Sequence, residues 1–340
     1  MNLERLYYQV KSHIDQVDCS KLWPGFKPFK FALYNANECY FNGEYIPKTD
    51  EFLANTAISY NGEMIAIWNV DEEMDSIILA SKIIHEMFHG FQVANQECRF
   101  PNELDALYRY KYSNANLSLK LEENSIITEL LEKFESEKLG RLLEIRKYRY
   151  SHFPYEYHYE ACIEQIEGTA LFVELNALKQ LSDELYLEKL NVLKEYLTKK
   201  ENLLPIRIIC YDIGALLLLI LTENGIEYNS NFSNTAFSED LVADAKEYKG
   251  QIRLTMEKTI NDYYEQAGSI ISQAISQNDI VSDHTYDILG VNVYNAVYYN
   301  NYIITRYFVM YGNEKSPTIE YGNFIIETNE YKKMSKLYRF

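Results

Sequence analysis

His85, Glu86 and His89 lie in the oily stretch IIHEMFHG (83–90), in a chain with only six histidines. On a helix, residues four apart share a face, with Cβ atoms about 5–6 Å apart, so both imidazoles can reach a single ion. Zinc held this way takes neutral imidazole nitrogens, keeps one position for water and needs a third protein ligand. Glu86 is on the same turn but rotated, which suits it to accept a proton from that water as general base. The chemistry is metal-assisted hydrolysis. The competing reading is structural, with the two histidines serving buried polar groups, and it demands several separate partners for them.

A third histidine is not at hand. In the metzincin pattern, glycine falls three residues past the second histidine and another histidine six past it. Gln92 and Asn95 occupy those positions, and His13, His152, His158 and His284 show no ligand-like spacing. A carboxylate is therefore expected, and the best source is EACIEQIEGTALFVE (160–174). At 100° per residue, Cys162, Ile166, Ala170, Val173 and Ala177 form the buried stripe. Glu167 and Glu174 fall at its edge, while Glu164 falls nearly opposite and is expected to face solvent. Glu167 is the favoured ligand, with Glu160 or Glu164 as alternatives. Gly168 beside it leaves room for close approach of the histidine helix. Glu174 is a candidate for orienting a ligand histidine.

His85-Glu86-Met87-Phe88-His89 followed by Glu167-Gly168-Thr169-Ala170 resembles the gluzincins, zinc metallopeptidases with a glutamate third ligand on a later helix. SKIIHEMFHGFQ is similar to bacterial members of the peptidase MA-like group, and RIICYDIGALLLLIL to their later Tyr-x-x-Gly helix. The resemblance spans about residues 55 to 225. It implies one Zn2+ held by His85, His89 and Glu167, with Glu86 as base. The interval between the motifs, 77 residues, is longer than in the best-characterised members, and the helices at 117–150 are read as an insertion. For a donor to the developing oxyanion, Tyr211 is the first choice, and Tyr155, Tyr157 and His284 are others.

The expected function is a zinc-dependent metallopeptidase acting on peptide or protein substrates through Glu86-assisted attack of metal-activated water. The alternative is a catalytically silent, zinc-stabilised binding or regulatory module.

The elements that must position these residues follow from pattern. Residues 26–70 alternate as strands, with Asn42-Gly43 and Asn61-Gly62 as hairpin turns. NGEMIAIWNV leads into the HExxH helix, either as an edge strand able to hold an extended peptide or as an ordinary core strand. Helical periodicity begins near Asp71 and recurs at about 117–134, 138–150, 156–180, 183–199, 204–223 and 240–277. From about Tyr286 alternation and Asn-containing turns predict a meander. The fold class is α+β: a zincin-like catalytic core with an N-terminal β-sheet on a mostly helical body, plus a C-terminal antiparallel β meander. The parts are 1–70 (strand-rich part of the catalytic unit), 71–280 (helical, zinc-binding) and 281–340 (β-rich appendage). No Pro/Ser-rich linker divides them, so they are expected to pack together.

Composition narrows the partners. With 33 basic and 50 acidic residues the net charge is −17, which opposes binding to nucleic acid or an anionic membrane surface. The longest apolar run, Ile213 to Leu221, is short of the roughly 18 residues needed to span a bilayer. Five cysteines at unrelated spacings fit reduced thiols in the cytoplasm better than a disulfide framework, and no export signal is visible. The 31 tyrosines are read as amphipathic packing.

Overall fold

Asn61 and Gly62 adopt left-handed backbone angles, with φ of +50° and +80°, as do Asn42 and Gly43 at +52° and +96°. Such paired positive φ values make the tight turns whose twist matches antiparallel strands, and Asn-Gly is the pair that tolerates them best. In the computed structural model, which describes residues 2–340, these turns join strands of the N-terminal sheet. The first elements are α1 (Leu3–Ile14), β1 (Phe31–Tyr34), β2 (Cys39–Phe41), β3 (Glu44–Ile46), β4 (Thr56–Tyr60), β5 (Glu63–Asn69) and α2 (Ser76–Ala94). Next come α3 (Glu103–Arg109), α4 (Asn114–Glu132), α5 (Ser136–His152) and α6 (Pro154–Ile163). A π turn at Glu164–Gly168 leads into α7 (Thr169–Leu181), then α8 (Asp183–Leu197), α9 (Arg207–Glu223), α10 (Phe237–Asp240) and α11 (Glu257–Gln277). Strands β6 (Ile280–Ser282), β7 (Tyr286–Val291), β8 (Val297–Tyr299), β9 (Tyr302–Thr305), β10 (Phe308–Asn313), β11 (Ser316–Tyr321), β12 (Phe324–Glu330) and β13 (Lys333–Arg339) close the chain.

The fold is α+β, with a C-terminal antiparallel meander as expected from the alternation. Chain contacts group into two compact units that do not follow the three consecutive blocks read from the sequence. One unit combines the stretch up to Phe100 with Cys162–Glu195 and Tyr211–Leu241. The other combines Pro101–Ala161, Tyr196–Cys210 and Val242–Phe340. The helical stretch 71–280 thus contributes to both. Among the described residues no helix is long and apolar enough to cross a membrane.

In the first unit the sheet order is β3-β2-β1-β5-β4, with β1 and β5 parallel and the other pairs antiparallel. β5 therefore lies inside the sheet, and the exposed edge beside it is β4. The core-strand reading of NGEMIAIWNV holds and its edge-strand reading does not. α2 packs on α1, α7 and β5 and buries Leu79, Ala80, Ile83, Ile84, Met87 and Phe88. Phe88 meets Trp23 and Phe26 edge-on, with ring centroids 5.3 and 5.4 Å away. The helix starts at Ser76, not near Asp71, because the Asp75 carboxylate accepts from Ile77 N at 2.7 Å and Ile78 N at 3.3 Å and so caps it. Gly90 has no room for a side chain: a Cβ there would meet Phe29 and Met64.

In the second unit strict alternation sorts the sheet residues to two faces. Ile303, Phe324, Ile326 and Leu337 join a core that includes Leu104 and Leu107 of α3. Their neighbours Ile304, Ile325 and Tyr338 pack on Ala267, Ile271 and Ala274 of α11. α11 begins at Glu257, later than its apolar periodicity suggests. The amides of Thr255 and Met256 are taken by Ser118 Oγ and Asn114 Oδ1 on α4, at 2.9 and 3.0 Å, and so do not enter a helical ladder.

Candidate metal centre

α2 and the π turn with α7 supply every group of the candidate centre, and all belong to the first unit. His85 and His89 stand one turn apart on α2, both partly buried, with Nε2 atoms 3.1 Å apart. Glu167, in the π turn, places Oε2 3.3 Å from His89 Nε2 and 3.9 Å from His85 Nε2. Among the described residues, this is the one cluster of three such side chains whose potential ligand atoms all lie within 4.8 Å of one another.

The far side of each imidazole is also engaged. Glu174 Oε2 lies 3.0 Å from His85 Nδ1, and Gln92 Oε1 lies 2.8 Å from His89 Nδ1. The Gln92 Nε2 donates to the Ile166 carbonyl at 2.9 Å and to Thr169 Oγ1 at 3.0 Å. A carbonyl oxygen can only accept, so this contact fixes which end of the amide faces His89. Both Nδ1 atoms therefore face acceptors, which favours a proton on each. In the neutral rings both Nε2 atoms are then bare lone pairs, aimed at the same point as a carboxylate oxygen.

Three acceptors held this close repel one another unless positive charge lies between them. Burial opposes a charged His89, yet the facing Glu167 carboxylate and the nearby Glu86 prevail and push its pKa up to about 9. Without metal, a proton supplies the missing charge. A zinc ion fits the same demand: ligands about 2.0–2.1 Å from a tetrahedral centre are roughly 3.3–3.4 Å apart, and the observed edges of 3.1, 3.3 and 3.9 Å bracket that value. The donor set, two imidazoles and one carboxylate, is that of an open zinc site.

No protein-family model, curated protein or solved structure matches the chain.

Glu86 is partly exposed at its side of α2. Burial raises its pKa, the two histidines lower it, and Glu167 and Glu174 raise it, with a net upward shift. Glu174 is the reverse case: burial favours its neutral form, but His85 overrides this and holds it at about 2. Behind Glu174, Asp212 on α9 is buried and pushed up to about 7, because desolvation outweighs the attraction of Lys189 and Glu174 adds repulsion.

Glu164 and Glu160 differ from what their places in the sequence suggest. Glu164 is fully buried, not solvent-facing. The π turn breaks the 100° phase used to place it, and α9 covers that side, with Gly214 against the Glu164 backbone. Glu160 is not a ligand: Lys120 Nζ lies 2.6 Å from its Oε2, Arg149 Nη2 donates to Oε1 at 2.5 Å and the Tyr110 hydroxyl donates to it at 2.6 Å. Gly168 does give close approach, but to α9 and not to α2. A Cβ there would sit 2.7 Å from Gly214 Cα.

Tyr211 is half-buried and belongs to the same unit as the centre. It is three residues before Gly214, so it shares the face of α9 that meets the turn carrying Glu167. Tyr155, Tyr157 and His284 belong to the second unit, where the Tyr157 hydroxyl accepts from Arg146 Nε at 3.1 Å and the exposed His284 faces Asp283. Sequence reasoning misses Gln92, because position 92 stands out there only as a departure from the glycine of the metzincin pattern. Its signal was a polar residue three past His89, on the face that the helix otherwise buries.

Proposed function

We propose that this protein is a zinc-dependent metallopeptidase of the gluzincin kind, with His85, His89 and Glu167 as metal ligands and Glu86 as general base. The observation that carries this reading is the convergence of two Nδ1-anchored imidazoles and one carboxylate oxygen on a point that requires a cation. Zinc bound there would lower the pKa of a coordinated water and polarise a substrate carbonyl.

The chain's own groups supply the rest. Glu174 and Gln92 hold the imidazoles in the tautomer that leaves Nε2 free. Glu86 takes a proton from water and returns it to the leaving amine. Its raised pKa brings it nearer the working range of an acid–base catalyst. Tyr211 is the proposed donor to the oxyanion, on the helix face that crosses the Glu167 turn. β4 is the open edge of the sheet and packs against α2. An extended peptide can add to such an edge through main-chain hydrogen bonds, which favours peptide over other amide substrates. All five cysteines are free, in keeping with a cytoplasmic site of action.

The test joins metal analysis of the purified protein with cleavage of a peptide library by wild type and Glu86→Gln. The expected result is about one zinc per chain in both, with cleavage falling roughly 10²–10⁴-fold in the variant. Equal cleavage by both removes Glu86 from the chemistry. Zinc in both with cleavage in neither points to a metal-stabilised binding module.

A further inference from the structure

Gln92 is 1% exposed, and its amide is shared between two partners: one end faces His89, one turn back on the same helix, and the other faces the π turn. A buried primary amide is costly to keep unless its groups are matched, and here the match is divided between two elements. Oε1 accepts the His89 Nδ1 proton, which leaves Nε2 of that ring bare for a metal. Nε2 of the amide reaches Ile166 O, the carbonyl next to Glu167. In a π turn the helical bonds run to the fifth residue, so carbonyls lose their usual partners. Gln92 brings a donor to one carbonyl of this turn, that of Ile166, which Thr169 Oγ1 also approaches at 3.3 Å. Thr169 joins the arrangement by accepting from Gln92 and donating back to Gln165 O.

We infer that Gln92 is a positioning residue that couples the two halves of the metal centre, setting the His89 tautomer and tying the Glu167 turn to the histidine helix. The inference rests on the zinc reading for its purpose, but its physical content does not. The Gln92 contacts with His89 Nδ1 and the Ile166 carbonyl exist in the metal-free protein. A glycine or alanine at this position would leave His89 free to rotate or change tautomer, and would leave the Ile166 carbonyl buried without this donor.

The test uses the full chain with Gln92→Met, which keeps length and removes both bonds, and Gln92→Glu, which keeps an acceptor for His89 and loses the donation to Ile166. One readout is nitrogen NMR of the His89 ring in metal-free protein at a pH high enough to make the ring neutral, where only one of its nitrogens keeps a proton. The other is zinc affinity by chelator competition, with the cobalt absorption spectrum reporting coordination geometry. Expected is a hydrogen-bonded Nδ1 proton on His89 in wild type and Gln92→Glu but not in Gln92→Met. Zinc affinity should fall about 10–100-fold in Gln92→Met, and the cobalt spectrum should change in both variants. A Gln92→Met protein with wild-type His89 signals and wild-type zinc affinity overturns the inference. Wild type that binds no zinc, while the Nδ1 signal still depends on Gln92, removes the metal reading and leaves the positioning role standing. If Gln92→Met does not fold, the cobalt spectrum of Gln92→Glu decides: an unchanged spectrum overturns the tie to Ile166.

Discussion

Glu174 Oε2 lies 3.0 Å from His85 Nδ1, on the opposite side of the ring from the nitrogen that faces Glu167. A carboxylate at this distance favours a proton on Nδ1 and leaves Nε2 to face Glu167. Partners of this kind contribute roughly 10–100-fold to metal affinity. Glu174→Ala should weaken zinc binding by about that factor, and Glu174→Gln, which can still accept, by less. Chelator competition measures both, and equal losses would contradict the orienting role.

Zinc binding should release a proton. His89 is pushed up to about 9 in the metal-free protein, so it is charged at neutral pH and must give up its proton to a metal. The sign follows from the raised value. The His89 contact with Glu167 stabilises the metal-free fold fully below the ordinary histidine pKa of about 6.5 and loses that contribution as pH rises through 9. Apparent zinc affinity should therefore rise about tenfold per pH unit between 7 and 9. Calorimetry in buffers of differing ionisation heat checks the proton count.

Asp212 gives a second pH signature. Its pKa is raised from 3.8 to about 7 by burial, so it favours the folded state while protonated. That contribution is complete below 3.8, declines as pH rises and is gone above about 7. Asp212→Asn remains neutral throughout and should be the more stable protein at pH 8, by an amount on the order of 4 kcal/mol at most. Denaturant midpoints of both proteins across pH 5–8 provide the measurement, and parallel curves would contradict the assignment.

Gly168→Ala should damage both fold and site. A Cβ would stand 2.7 Å from Gly214 Cα, a backbone atom that cannot swing aside. Forced repacking of this kind costs about 1–3 kcal/mol. Because the same turn carries Glu167, zinc affinity should fall together with the melting temperature.

In the second unit, Glu160 sits between Lys120 and Arg149, all three almost wholly buried. Burial opposes its charge, but the two cations overcome this and hold its pKa at about 2. Its stabilisation is present above the ordinary carboxylate pKa and is lost as pH falls through 2. Glu160→Gln leaves two buried cations short of a partner and should cost about 3–5 kcal/mol, measured by urea unfolding. Glu160→Gln at wild-type stability would show the network to be dispensable.

What was legible in the sequence followed from spacing that local backbone preserves. Four residues bring His85 and His89 to one face, and seven bring Glu167 and Glu174 to one side of their own helix, where each meets a different nitrogen of the histidine pair. The Asn-Gly turns were legible because few residues accept their angles. Glu164 was misplaced because a constant 100° step cannot represent a turn with an added residue. The late start of α11 and the interior place of β5 were hidden for a different reason. Both depend on distant partners, Ser118 and Asn114 in one case and β4 in the other. Gln92 was hidden in the same way, since its two partners are a ring one turn back and a carbonyl 74 positions on.

The wide turn at Glu164–Gly168 makes the centre sensitive to chain length as well as to chemistry. Dropping one residue there would restore an ordinary helix whose flanks keep their phase, while the residues within the turn, Glu167 among them, move to a different face. The Glu167 carboxylate would then stay in the chain yet turn away from the imidazoles, so a single lost codon outside the histidine helix would take apart the cluster with every one of its residues still encoded.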